Sequence, residues 1–564
     1  MLFYDMMLEE RSMKRSVLLT RLAMLGAFLI GTATYAQGVK LAKSQVLRFS
    51  NGSEPRELDP AKATGEIESN IIMNIFEGLT SLDPVSLRPI PATAESWQVS
   101  PDGKTYTFKL RKNIKWSDGK PVTAGDFVYA WQRALDPKTA AEYAYILYYI
   151  KNGEPFNQGK LKDAKKLGIA AKDPQTLVVT LENPTPYFPS LTAFYTYMPV
   201  PEHVVQKAKN SSEWASEKTL VGNGPFKLTE WKLNKHIKVV KNDHYWDAAG
   251  VTLQEAFFYP IENQVTEERM FMAGELDLTN NVLNAKIPLY KKQIKSNPNA
   301  FHPFKSGPML GSGYFRFNVT AAPLNDKRVR KALALTVDRT MIAEKVLGAG
   351  EIPAQAFTPP GTAGYTAKPV LNTTVKPQDI AAAKKLLAEA GYPDGKGLPK
   401  IELLYNTSEN HKKLVTAMQQ MWKKNLGVEI GLVNEEWKVY LNSTQKMNYQ
   451  IGRAGWTGDY NDPNTFLDMF VTDGGNNNTG WSSKEYDNLI KQATLTQDQN
   501  KRFEIFQKAE SILLEDLPIL PLYVYVNKNL ASEKLKLKLN DGKIVPWQNN
   551  IQDFLLLKYI VLAE

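Results

Sequence analysis

The chain has 564 residues, of which 43% are hydrophobic and 23% charged, values that exclude a wholly disordered chain and leave room for several domains. Its 69 Lys and Arg exceed its 59 Asp and Glu, giving +10, but the signs interleave and leave no basic tract for nucleic acid. Cysteine is absent, which excludes disulfides, thiolate metal sites, a cysteine nucleophile and a lipid carried on cysteine.

Residues 13–36 read MKRSVLLTRLAMLGAFLIGTATYA. A basic start, a short apolar run and small residues predict an export signal cleaved between Ala36 and Gln37, with residues 1–12 an upstream extension. The unbroken apolar run from Leu22 to Ile30 is too short to span a bilayer. With no cysteine to lipidate, the expected place is a Gram-negative periplasm.

Further along, Pro101-Asp102-Gly103 predicts a turn, and alternation over 105–111 predicts a strand with Tyr106, Phe108 and Leu110 on one face. A second turn at Ser117-Asp118-Gly119 precedes a helix beginning near Thr123, with Asp126, Phe127 and Trp131. Residues 176–182 and 401–405 read as strands, and Gly311-Ser312-Gly313 as part of a flexible turn. Asp379–Ala390 carries Ile380, Ala383, Leu387 and Ala390 on one helical stripe and stops at Gly391 and Pro393. Residues 501–516 repeat the pattern with Phe503, Phe506, Ala509 and Leu513. No period of 20–50 residues appears, which argues against solenoids and propellers. The expectation is a mixed α/β fold.

Catalytic patterns fail on spacing. Gly103-Lys104-Thr105 resembles the end of a phosphate loop, but Gln98 occupies the position that loop needs as glycine. Ser117 and Lys120 match a Ser–Lys pattern only inside a turn. The five histidines (His203, His236, His244, His302 and His411) are never spaced for a metal-binding helix. No nucleophile, base and orienter assemble, so the sequence points to binding, without enzyme activity, cofactor or metal.

Residues 94–131 (AESWQVSPDGKTYTFKLRKNIKWSDGKPVTAGDFVYAW) resemble the signature of the bacterial family 5 extracellular solute-binding proteins. Further similar runs are NGPFKLTEW at 223–231, APLNDKRVRKAL at 322–333 and RAGWTGDYNDPNTFL at 453–467. The resemblance covers about residues 40–564. It implies a class II periplasmic-binding-protein fold, with two lobes, a hinge and one additional domain. Domain I would comprise 37–76, 202–310 and 527–564, domain II 77–201, and domain III 311–526. It also implies a monomeric receptor that captures short peptides in a closing cleft and hands them to the permease and ATPase subunits of an ABC importer. A receptor specialised for a murein peptide and an exported peptidase are the alternatives, and a peptide mixture returned intact separates receptor from enzyme.

By the same resemblance, Asp459 pairs with the ligand amine, and Gly455 and Thr457 pair with its backbone through main-chain groups. Arg453 and His411 lie near the carboxylate end. Trp437, Trp456, Tyr143 and Tyr525 wall the side-chain pockets, Asn406, Asn477 and Thr479 are polar groups of the cleft, and Gly65 and Glu66 belong to the loop closing from domain I. Three positions depart from enteric relatives: Thr444 replaces Arg, Leu347 replaces Lys, and Arg316 replaces Glu.

Overall fold

The computed structural model describes residues 39–209 and 211–564, with Ser211 and Ser212 described by backbone alone. The expected signal and its Ala36–Gln37 cleavage site lie outside the described residues. Residues 39–43 and Ala563–Glu564 form a small terminal unit in which Leu41 bridges Ala563. Residues 44–562 form the other compact unit.

Within that unit, strand β1 (Val46–Ser50) leads through helix α1 (Glu66–Ile75) to the hairpin β2 (Ala94–Val99) and β3 (Thr105–Leu110). Tyr106, Phe108 and Leu110 are all buried, as the alternation predicts, and Gly103 takes the positive φ of +70° that the turn requires. Helix α2 (Ala124–Leu135) starts beside Thr123, as expected. Thr123 N donates to Asp126 Oδ2 at 2.8 Å in a reciprocal capping box, and Phe127 and Trp131 turn fully inward. Strands β4 (Ile169–Asp173) and β5 (Thr176–Thr180) complete a four-stranded sheet in the order β2-β3-β5-β4. A second four-stranded sheet joins distant parts of the chain. Its members β6 (Phe226–Lys232), β7 (His236–Lys241) and β8 (Glu255–Tyr259) follow β1 in the order β1-β8-β7-β6.

The third sheet positions the site. It contains β9 (Phe304–Phe317), β10 (Ile401–Asn406), β11 (Ile430–Glu435), β12 (Ile451–Thr457) and β13 (Ile519–Leu530). A two-residue strand at Ile352–Pro353 lies outside β13, and the order inward is β13-β9-β12-β10-β11. Helices α3 (Pro377–Glu389), α4 (Glu409–Leu426) and α6 (Gln499–Asp516) supply its cover, and α5 (Trp437–Gln445) lies between β11 and β12 in sequence. Their buried stripes include Ala383 and Leu387 of α3 and Phe506, Ala509 and Leu513 of α6, while Ile380, Ala390 and Phe503 stay only half-buried. The core centres on Trp422, Met418, Phe315 and Leu520.

Gly311-Ser312-Gly313 is not a flexible turn. It lies inside β9, opposite Thr457, Trp456 and Gly455 of β12. The glycines are there because aromatic rings cover them. A Cβ on Gly313 would sit 2.4 Å from the Tyr523 ring, and one on Gly311 3.1 Å from Tyr525. β9 and β13 pair over Phe304–Pro308 and again over Ser312–Arg316, with the register broken between Pro308 and Ser312. A bulge of this kind bends and twists a strand pair locally.

Gly313→Val should destabilise the protein by about 1–3 kcal/mol, because the added carbons must displace the Tyr523 ring. A lower urea midpoint at unchanged slope checks this; an unshifted midpoint would show that the ring moves aside freely.

Candidate ligand-binding site

A cavity of about 320 Å³ opens beside the C-terminal half of β12, at the lower end of the range typical of small-molecule sites. Its shape follows from strand pairing. β9 accompanies β12 along its whole length, but β10 pairs only with Ile451 and Gly452. Beyond Gly452 the two parallel strands separate and leave Arg453–Thr457 with one open edge. Tyr440 Oη of α5 takes the Arg453 carbonyl as acceptor.

Alternation sends Arg453, Gly455 and Thr457 to one face of β12 and Ala454 and Trp456 to the other. Gly455 has no room for a side chain, since a Cβ would lie 2.3 Å from Tyr525 Oη. That hydroxyl accepts from Arg453 Nη2 at 2.5 Å, whereas Arg453 Nε is buried without a hydrogen-bond partner. On the opposite face the Trp456 and Tyr143 rings stack with centroids 6.0 Å apart.

The turn after β12 holds Asp459 rigidly. Trp456 Nε1 donates to Thr465 O at 2.7 Å, Asp459 N donates to Thr465 Oγ1 at 3.0 Å, and Arg502 clamps Asp462 through two 2.7 Å bonds. The Asp459 carboxylate receives only two long hydroxyl bonds, from Tyr143 at 3.4 Å and Thr465 at 3.3 Å. Among the described residues no cation pairs with it. The surface it keeps faces the cavity, and enclosure by protein on its other sides pushes its carboxyl up to about 8.

At the other end, His411 follows Ser408, the cap of α4, and its Nδ1 lies 3.3 Å from Asn406 O. Burial first, and then the Arg453 charge, push this imidazole well below its usual range, so it is neutral at pH 7. Asn406 Oδ1 is another buried atom without a partner. Trp437 stacks on Tyr440 at 5.8 Å and leaves no space beside Gly65, where a Cβ would sit 2.8 Å from the indole. Glu66, next in the chain, meets Asp553. Glu66 is exposed to the cavity, but the protein enclosing the pair raises both carboxyls, with the Glu66 charge adding to the rise at Asp553 and the Arg453 charge partly offsetting the rise at Glu66.

Twelve of the fourteen ligand-binding residues expected from the sequence thus line this cavity, as do Thr444, Leu347 and Arg316. Asn477 and Thr479 do not. Asn477 Nδ2 donates to the carbonyls of Phe470, Val471 and Trp481, and its Oδ1 accepts from Thr479, so both side chains are used up inside their own loop. Their neighbours Asn476 and Asn478 line the cavity instead. Asp553, Glu142 and Lys528 also line it. The sequence carries no sign of Asp553, which lies in an aperiodic segment. Among the described residues, no group of three His, Cys, Asp or Glu is placed to hold a metal, and no helix is long and apolar enough to cross a membrane.

A cavity that joins an open strand edge to acidic and basic side chains suits a ligand-binding protein, and the fold is that of the two-lobed solute-binding proteins. The chain belongs to the bacterial extracellular solute-binding proteins, family 5, whose middle-region model matches residues 88–478. The periplasmic oligopeptide-binding protein OppA of Salmonella typhimurium is 41% identical over 512 residues, covering 90% of this chain and 92% of that one. The structure is similar to that of the Escherichia coli murein tripeptide-binding protein MppA, with TM-score 0.86 and 39% identity, covering 93% and 99% of the two chains. Against the unliganded open form of MppA the TM-score is 0.60 at 38% identity, over 94% and 99% of the chains, so the conformation described here is not the open one. Haemophilus influenzae OppA, in complex with RPPGFSPFR, gives 0.86 at 36% identity over 93% and 100%.

A carboxyl whose folded pKa lies above its unfolded value of 3.8 favours folding fully below that value and loses the contribution as pH rises toward about 8. Asp459→Asn keeps the shape and cannot ionise. In ligand-free protein its melting temperature should therefore gain on wild type progressively from about pH 4 to about pH 8. A difference that stays constant with pH would mean that Asp459 is solvated.

Proposed function

We propose that this protein is an exported receptor that binds short peptides in the cavity beside β12 and delivers them to an ABC-type peptide permease, without altering them. One observation carries the reading: the open edge of Arg453–Thr457 runs between an unpaired carboxylate, Asp459, and a guanidinium with a free Nε. An extended peptide matches all three features. Its backbone can add to the edge as a strand through the main-chain groups of Gly455 and Thr457. Its amine then meets Asp459, and its carboxylate lies toward Arg453 and His411, so it runs antiparallel to β12. At roughly 3.3 Å per residue the edge is about 13 Å long, the reach of roughly four ligand residues. Trp437, Trp456, Tyr143 and Tyr525 wall the side-chain spaces, Asn406 offers its unpaired oxygen, and Gly65 and Glu66 close the mouth from α1.

The names of the relatives support peptides as the ligand class. For motion, the domain boundaries at 310/311 and 526/527 fall inside β9 and β13, beside their register break. We place the hinge there, between a lobe of residues 37–76, 202–310 and 527–564 and a lobe of 311–526, with 77–201 as the additional domain. Strand pairs that cross between lobes can absorb closure through a few residues.

Two measurements test the reading. A peptide mixture incubated with the protein and examined by native mass spectrometry should show bound peptides of unchanged mass; shortened products would indicate a peptidase, and exclusive binding of a murein peptide a specialised receptor. Asp459→Ala should weaken free-amine peptides by at least about thirtyfold, since stranding a buried charge costs roughly 2–5 kcal/mol. Acetylating the ligand amine should harm wild type similarly and add little in the variant. Equal losses in both proteins would place the amine elsewhere.

A further inference from the structure

A second cation in the cavity wall, Arg316, plays no part in holding the ends or the backbone of a peptide. It stands on β9 opposite Gly452 of β12. Directly paired residues point to the same side, so Arg316 and Tyr314 share the Gly452–Ala454–Trp456 face, away from Arg453 and Gly455. Arg316 is only 9% exposed. Its Nη2 reaches one group, the Tyr314 hydroxyl, at 3.4 Å, and its Nε has no partner.

The polar groups around it are committed elsewhere. Glu142, whose carboxyl feels the Arg316 charge, is held by Arg56 at 3.3 Å and by Gln445. Thr444 Oγ1 donates back to its own helix at Tyr440 O and Leu441 O. Tyr440 and Tyr449 donate to the carbonyls of Arg453 and Asn478. Among the described residues, Arg316 makes no ion pair. A guanidinium enclosed in this way is poorly compensated until a carboxylate arrives, and its fork accepts one in bidentate geometry.

Resting on the peptide reading, we propose that Arg316 forms the base of a side-chain subsite that selects an acidic residue of the bound peptide. A ligand strand on the β12 edge alternates its side chains between the two faces. With its ends directed to Asp459 and Arg453, at least one interior side chain is sent to the Arg316 face, beside Tyr314, Tyr440 and Tyr449. The C-terminal carboxylate is taken on the other face.

Calorimetry with tetra-alanine peptides carrying a single Glu, Gln or Lys at each position, free and C-terminally amidated, tests this. In wild type, Glu at one interior position should bind at least about tenfold more tightly than Gln, and Lys more weakly than either. Arg316→Gln should bring the Glu-to-Gln ratio toward one, and Arg316→Glu should turn the preference to Lys. The absence of a Glu preference in wild type, or its persistence in Arg316→Gln, overturns the subsite. So does its loss on amidation, which would assign Arg316 to the C-terminal carboxylate. If peptides bind but show none of these differences, only the subsite fails. If wild type binds no peptide at all, the peptide reading fails with it.

Discussion

Polar and ionisable groups set in the wall of an enclosed space need partners, and among the described residues several are only partly satisfied. Asp459 has hydroxyls but no cation, Arg453 and Arg316 keep free Nε groups, and Asn406 keeps a free oxygen. An isolated charge enclosed in protein is costly, whereas the same charge with a matched partner is tolerated. In the proposed reading, closure over nothing strands these groups, and closure over a zwitterionic ligand satisfies them. The rest of the structure serves to hold them still. The Arg502–Asp462 clamp fixes the turn after β12, Tyr525 fixes Arg453, and the capped start of α4 fixes His411.

In the proposed reading, general affinity for peptides follows from where the fixed groups point. The proposed main-chain pairing along Gly455 and Thr457 recognises what every peptide has. The aromatic walls on the two faces receive whatever side chains alternate onto them, with stacking that tolerates many shapes. Leu347 and Thr444 make their part of the wall apolar or self-satisfied, and the proposed selective charge there is Arg316. Recognition in that proposal is divided between a general edge and one particular wall.

Local signals were legible where local physics decides the structure. Alternation placed Tyr106, Phe108 and Leu110 inward, and the helix expected near Thr123 after the Ser117-Asp118-Gly119 turn begins there. The similarity of the RAGWTGDY segment brought out the cavity residues of β12. What failed depends on distant partners. Gly311-Ser312-Gly313 looks like a turn because glycine suits turns, but these glycines lie under Tyr523 and Tyr525, about two hundred residues away in sequence. Asn477 and Thr479 turn into their own loop while Asn476 and Asn478 line the cavity, a choice set by hydrogen bonding within the loop that residue type alone does not show. Asp553 has no local signature at all, and only its meeting with Glu66 gives it meaning.

The central sheet has a consequence for how the chain reaches its fold. β9 is flanked by β12 and β13, which are synthesised long after it, and Phe304 pairs with Leu530 near the end. Contacts between such distant segments are slow to form because long loops must close first. While the chain is still emerging from the ribosome, β9 has neither neighbour, and the sheet that carries the cavity cannot be completed. The sheet around the cavity is therefore among the last parts of the fold to close, and its completion waits for β13 near the end of the chain.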